Sequence, residues 1–245
     1  MRLMGVLKGQ HAGYRERLIV ANGLKLRAFD LGRQATSADV IYDALRDAII
    51  RGELEEGEAL RQDTIARMFN VSRIPVREAM QRLEAQGLVI SERYKGVVVA
   101  SLSHEQITEI FQFRALVEPS VIEMAVPLMS AKSLEQAQYY CDAFGAETDP
   151  ERWGDLNRHF HNCLYVDCDK PYYLSVIDKT NDLVERYVRL VLYLTQGMRN
   201  AVAEHQAILD ACVAKKPKQA AELTRQHIDK AGKTLVSYLR DHTRK

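Results

Sequence analysis

The sequence predicts a mainly α protein, with an N-terminal winged helix-turn-helix (three helices plus a β-hairpin wing) followed by an all-α helical bundle. Three observations carry this. Short amphipathic helical stretches recur between Asp39 and Leu88, and two β runs, Leu88-Val89-Ile90 and Val97-Val98-Val99, flank a polar turn at Glu92 to Gly96. Beyond Ser103 the β signals vanish and only helical periodicity remains. The chain divides into a basic arm at residues 1–37, the winged helix at 38–102, and the helical domain at 103–245.

The arm holds Arg2, Lys8, Arg15, Arg17, Lys25, Arg27 and Arg33 against only Glu16 and Asp30. It is punctuated by glycine and lacks a sustained period, so it reads as mobile. A basic arm can grip DNA backbone without sequence preference, or be an extension with no role.

Asp39 to Arg51 is an amphipathic helix with Val40, Ala44, Leu45, Ala48 and Ile49 inward, stopped by Gly52. GELEEGEAL reads as a polar turn. A short helix follows to about Asn70, with Ile65, Ala66 and Phe69 on its apolar side and Gln62 or Asp63 supplying the cap. The central stretch is VSRIPVREAMQRLEAQGL, Val71 to Leu88. Ser72 suits a helix start, Pro75 is tolerated in the first turn, and Gly87 suits the helix end. Val76, Met80, Leu83 and Leu88 form the buried stripe, and Arg73, Arg77, Gln81 and Arg82 face out. An ordinary solvated helix could share this pattern. Its place between a helix-turn and a hairpin favours a helix whose guanidinium forks enter the DNA major groove.

Helices then span His104 to Met129, with a break expected at Glu118-Pro119, and about Ser133–Phe144, Pro150–Val166, Pro171–Leu194, Arg199–Ala214 and Pro217–Arg240.

Composition sets the limits. The 245 residues are 47% hydrophobic and 27% charged, with a net charge of +1, so any nucleic-acid surface must be a local patch. Cys141, Cys163, Cys168 and Cys212 show no CxxC spacing and read as reduced thiols. The apolar run from Val188 is interrupted by Arg189, and Lys8 with Arg15 and Arg17 breaks any leader pattern. The expectation is a cytoplasmic protein with no membrane association.

In the helical half, Asn157 and His161 are four residues apart and share one helix face. His205 and His227 lie equidistant from the turn at Ala214–Lys218, which sets them level on an antiparallel helix pair. Three imidazoles and one oxygen suit a divalent metal, Zn or Ni. A catalytic zinc would also need a general base, and no HExxH-like spacing supplies one. Arg114 and Arg189 lie on helices turned partly inward, and a buried arginine needs an anion. Glu118 or Glu185 provides it internally, or a ligand carboxylate does.

The motifs LRDAII at 45–50, VSRIPVREAMQRLEAQGLV at 71–89 and a wing with glycine resemble the GntR family of bacterial transcription regulators. The helical remainder resembles the FCD ligand-binding domain of the FadR-like branch. The resemblance implies a homodimer on double-stranded DNA with a palindromic operator, with the reading helix in the major groove and the wing tip in the minor groove. It makes Ser72 and Arg73 the contacting turn, Arg77 the base reader, and Tyr94, Lys95 and Gly96 the wing tip. Where the family often carries a DNA-contacting arginine, this chain has Asp63. Arg61 or Arg67 takes over that contact, or the operator differs from the common type. The resemblance also implies Asn157, His161, His205 and His227 as metal ligands and Arg114 as a wall of the effector cavity. The function it implies is a repressor controlled by a small organic acid that chelates the metal.

Overall fold

A computed structural model describes residues 16–21, 24–29, 36–194 and 198–242. Two of these segments lie in the basic arm, where β1 (Glu16–Ala21) and β2 (Leu24–Phe29) pair antiparallel from Glu16↔Phe29 to Ala21↔Leu24. The reading of that arm as lacking regular structure is corrected for these twelve positions, six in each strand. The signal was present: Asn22-Gly23 between two β-prone runs is a strong hairpin sequence. The rest of the arm lies outside the described residues.

The winged helix begins at α1 (Ser37–Arg51), one turn's start earlier than its apolar stripe suggests. Thr36 and Asp39 form a reciprocal capping box, with Asp39 N–H donating to Thr36 Oγ1 at 3.1 Å and Thr36 N–H to Asp39 Oδ2 at 2.9 Å. The buried face is Ala38, Ile41, Tyr42, Leu45 and Ile49, so the expected stripe was displaced by one residue and Val40 is 49% exposed. Leu45 and Ile49 fit either register, and the larger Ile41 and Tyr42 decide it.

The second helix, α2 (Gln62–Met68), starts at Arg61 with no side-chain cap, contrary to the role expected of Gln62 or Asp63. The third, α3 (Arg73–Ala85), has Ser72 at its N-cap position in extended conformation, but the hydroxyl makes no capping bond. At its end Gly87 adopts φ +76°, its N–H donates to the Glu84 carbonyl at 2.9 Å, and Leu88 N–H reaches the Leu83 carbonyl at 3.0 Å. This double closure turns the chain directly into β3 (Val89–Glu92). Strand β4 (Gly96–Val99) returns in register Val89↔Val99. The segment expected as a mere polar turn lies along β4, with Ala59 bridging Val98 and Leu60 N–H donating to Val97 O at 2.8 Å. Val76, Ala79, Leu83, Val89 and Val99 close the core, none more than 1% exposed.

The bundle comprises α4 (His104–Ala125), α5 (Ala131–Ala146), α6 (Pro150–Tyr165), a 3₁₀ turn at Val166–Cys168, α7 (Pro171–Leu194), α8 (Met198–Val213) and α9 (Pro217–His242). The expected break at Glu118-Pro119 does not occur, because α4 runs through Pro119. Ala115, Glu118, Val121 and Ile122 are all buried around the proline, and that burial offsets the roughly 3 kcal/mol cost of a helix-interior proline. A core of Val121, Ile122, Phe160, Leu164, Tyr165, Ile208 and Leu209 fills the far end. Nearer the winged helix, Ile107, Phe111, Val184, Tyr187, Ile228 and Leu235 join α4, α7 and α9. Among the described residues no helix is long and apolar enough to cross a membrane.

Helices α4 and α9 approach closely at Gly232, where an added Cβ would stand 2.8 Å from Phe111 Cβ. Alanine ordinarily gains helix stability over glycine, but here the clash is with the base of a buried ring. Gly232→Ala is expected to destabilise the fold by about 1–3 kcal/mol, read from the denaturant midpoint.

Candidate functional site

Two surfaces carry chemistry. The first is the outer face of α3, where Arg73, Ile74, Arg77 and Gln81 are exposed in succession. Arg73 Nε pairs with Asp63 Oδ1, so the acid that departs from the expected pattern holds the first arginine of the reading helix. Arg67 Nε donates to the Asp63 carbonyl at 3.2 Å, and Arg61 is exposed at the start of α2. Arg82, expected on this face, is instead tied to α1 by Asp39 at 2.7 Å and by the Tyr42 ring at 4.1 Å. At the hairpin tip Tyr94 is 91% exposed with φ +71°, Gly96 has φ +79°, and Lys95 pairs with Glu92 at 2.8 Å. Arg93, which the sequence reading passed over, stands with its guanidinium 5.0 Å from the Tyr94 ring centre.

The second is a cavity of about 250 Å³ inside the bundle. His161 of α6, His205 of α8 and His227 of α9 converge there, with their ligand atoms all within 4.8 Å of one another. Ring centres are 5.1 Å apart for His161 and His205, 5.2 Å for His161 and His227, and 4.9 Å for His205 and His227. The levelling expected from the α8–α9 turn is what brings the last two together. Phe160 stacks on His205 at 4.4 Å and Phe144 flanks it at 5.0 Å, so aromatic packing fixes that ring.

The nitrogens are arranged for a cation. His161 Nδ1 and both nitrogens of His205 are buried without a hydrogen-bond partner. His227 Nδ1 lies 2.8 Å from Glu204 Oε2, which fixes the ring and leaves Nε2 for the cavity. Glu204 pairs also with Lys230; burial pushes its carboxyl up, but these two partners outweigh that and lower it. An orphaned buried nitrogen costs free energy, and a divalent ion would supply what three of them lack. Asn157 lines the same cavity one turn before His161. His159 is exposed on the other side of α6 and stacks on Tyr140.

Around this centre the walls are charged and paired. Arg114 lines the cavity, its Nε donating to Glu118 Oε1 at 2.6 Å, while Tyr165 Oη donates to Glu118 Oε2 at 2.9 Å. Of the alternatives for its anion, Glu118 is therefore an internal one. Arg189 does not line it. Its Nη2 donates to Asp155 Oδ1 at 2.6 Å in a neighbouring cleft toward α1, so the structure sets this expected effector residue in that cleft rather than on the cavity wall. Gly154 makes room there, since a Cβ would come within 2.6 Å of Arg189 Nε and 2.5 Å of Glu185 Oε1. Arg158 and Asn181 line the cavity and were missed, and Glu185, expected only as an arginine's partner, lines it too. They sit on faces that sequence spacing assigns to the helix interior only once the packing of α6 against α7 is known.

A winged helix with an arginine-bearing reading helix, joined to a helical domain around a polar cavity, defines a DNA-binding transcription regulator. Residues 37–99 match the bacterial regulatory proteins of the gntR family and residues 109–230 match the FCD domain. A solved GntR family member from Pseudomonas syringae pv. tomato str. DC3000 is 31% identical, covers 84% of this chain and 87% of its own, and superposes with a TM-score of 0.52. The HTH-type transcriptional repressor GlaR of Escherichia coli K12 is 28% identical over 201 residues, 76% of this chain and 90% of its own. The gluconate operon transcriptional repressor of Bacillus subtilis 168 is 40% identical over 165 residues, 65% of this chain and 66% of its own. The chain belongs to the GntR family and is a regulator, not an enzyme.

The cavity gives the fold a pH dependence. Burial, with His227 alongside, holds the imidazoles of His161 and His205 well below the usual 6.5. Both stay neutral in the fold while the unfolded chain takes up protons below that pH, so stability falls toward acid by about 1.4 kcal/mol per pH unit for each ring. Glu185 works the other way. Burial raises its carboxyl from 4.5 to about 7, so the fold gains stability as it protonates over that interval. Two rings oppose one carboxyl, so the net expectation for metal-free protein is a loss of stability as pH falls below about 6.5. In His205→Gln that loss should be smaller. Chelator-treated protein melted in denaturant above and below that pH gives the answer.

Proposed function

We propose that this regulator is a repressor that binds a palindromic operator as a homodimer, under the control of a small organic acid bound with a divalent metal in the helical domain. The observation that carries this reading is the convergence of three imidazoles inside a cavity that Arg114 also borders. His161, His205 and His227, with Asn157 as the oxygen donor, would hold Zn or Ni, and the ion would supply a Lewis-acidic point for a carboxylate. Arg114 offers donors to a second carboxylate oxygen, and Asn181 and Thr234 stand where hydroxyls of a hydroxy acid would be met. The Bacillus relative is named for an operon of such an acid, gluconate.

On the reading face, Arg77 is the base reader, with Ser72 and Arg73 at the entering turn and Tyr94, Lys95 and Gly96 at the minor groove. Arg61 and Arg67 take the phosphate contacts that Asp63 cannot. Half-sites on a dimer must lie about one helical turn apart, roughly 34 Å, so a small rotation of the paired heads changes operator affinity. Residues 38–102 then act as the reading head and 103–245 as the sensing and dimerising body.

Metal titration of chelator-treated protein is the direct test, with His227→Ala beside the wild type. One ion per chain is expected, bound at least about 100-fold more weakly by the variant; equal affinities would remove the histidines from the site. At constant salt, Arg77→Ala should weaken binding to DNA enriched by the wild type by about 1–3 kcal/mol. Citrate is a suitable first effector probe, and unchanged citrate affinity in Arg114→Ala would withdraw that arginine from the ligand.

A further inference from the structure

Helix α7 lies between the cavity and the winged helix. Asn181 and Glu185 line the cavity. On the other flank Leu183 packs against the winged-helix core beside Gly87, and Arg186 Nη2 donates to the Ile49 carbonyl at 2.7 Å. Asp182 stands where the two flanks meet, its side chain 6% exposed. Its Oδ2 accepts from Arg46 Nε at 2.7 Å. Its Oδ1 accepts both from Arg46 Nη2 and from Arg158 Nη1, the latter at 2.5 Å. Arg46 belongs to α1, and Arg158 borders the cavity on α6, next to Asn157.

One buried carboxylate thus takes charge-assisted bonds from an arginine of the head and an arginine of the cavity wall. We propose that Asp182 is a positioning residue through which the cavity sets the seating of the DNA-reading head. The physical basis is that the two guanidiniums share Oδ1. A carboxylate this buried must stay paired, and its hold on one cation weakens when a second is bonded to the same oxygen. An anion in the cavity draws Arg158 toward itself, and Asp182 is then left to Arg46 alone in a two-bond fork. The outer partners, Asp178 for Arg158 at 3.4 Å and Asp47 for Arg46 at 3.2 Å, are exposed acids that keep neither arginine from exchanging. The head is thereby gripped more tightly when the cavity holds an anion than when it does not.

This deepens the reading of the cavity as an effector site and rests on it, but its test uses no effector. Affinity for DNA enriched by the wild type from a random pool is measured at fixed salt for wild type, Arg158→Ala, Asp182→Asn and the double variant. Removing Arg158 mimics its withdrawal, so Arg158→Ala is expected to change DNA affinity by about fivefold or more although it lies on the cavity wall. In the Asp182→Asn background the same change should have an effect within twofold. A shift of equal size in both backgrounds, or none in either, overturns the proposal. Circular-dichroism melts establish that each variant is folded. Should Arg158→Ala fail to fold, Arg158→Lys keeps the charge and loses the fork, and its smaller shift must likewise vanish with Asp182→Asn. Citrate or metal binding can fail while this cycle holds, and the cycle can fail while the cavity binds its anion, so the two readings are refuted separately.

Discussion

The bundle depends on a carboxylate that never meets water. Glu118 is fully buried, accepts from Arg114 on its own helix and from Tyr165 at the end of α6, and precedes the proline that α4 carries in its interior. Removing one member of such a set leaves a buried charge unpaired, a loss of about 3–5 kcal/mol. The constraint therefore fixes α4 against α6 more firmly than apolar packing could, since apolar faces tolerate sliding. It also explains why the helix passes straight through Pro119. Glu118 beside the missing hydrogen bond is held by Tyr165 from another helix and by Arg114 one turn back, so the local defect has nowhere to relax. Arg114 inherits its orientation from the same set, which holds it on the cavity wall.

Much of this was legible in the chain. The 3.6-residue stripe of α3, the glycine after it and the hairpin that follows are local features, and each was set by residues adjacent in sequence. Two of the three imidazoles could be matched because an antiparallel helix pair converts sequence distance from a turn into height along the axis. What stayed hidden was set by packing between distant segments. Glu204 stands next to His205 in sequence, yet its bond is to His227 on the following helix. Arg114 and Arg189 both looked able to turn inward, and only the packing of the helices sends one to the cavity and the other to Asp155. The displaced stripe of α1 is a smaller case: Val40 and Ile41 are both apolar neighbours, and the choice between them belongs to α3, which receives the helix. The Asn22-Gly23 pair was different, a local signal overlooked because positive charges dominated that stretch.

The two functional surfaces share a support. Asn181, Val184, Glu185 and Val188 of α7 face the cavity while Leu183 and Arg186 face the winged helix, so a single rigid rod forms a wall of one and a seat of the other. Tyr187 adds to this, its hydroxyl accepting from Leu102 N–H at 2.9 Å and donating to Glu56. The segment joining head to body is thus stitched to the same rod, and the head has few ways to move without α7.

The packing of His205 against Phe160 and Phe144 bears on how this cluster of imidazoles would take up a metal. In small zinc domains the ion organises the ligands, and folding and loading are one event. Here rings on three helices are already set in place by aromatic contact, by the Glu204 bond and by the core around them. An ion arriving at such a cluster would find its donors already placed and would leave the scaffold standing on departure. A metal held here would come and go without the body losing its fold.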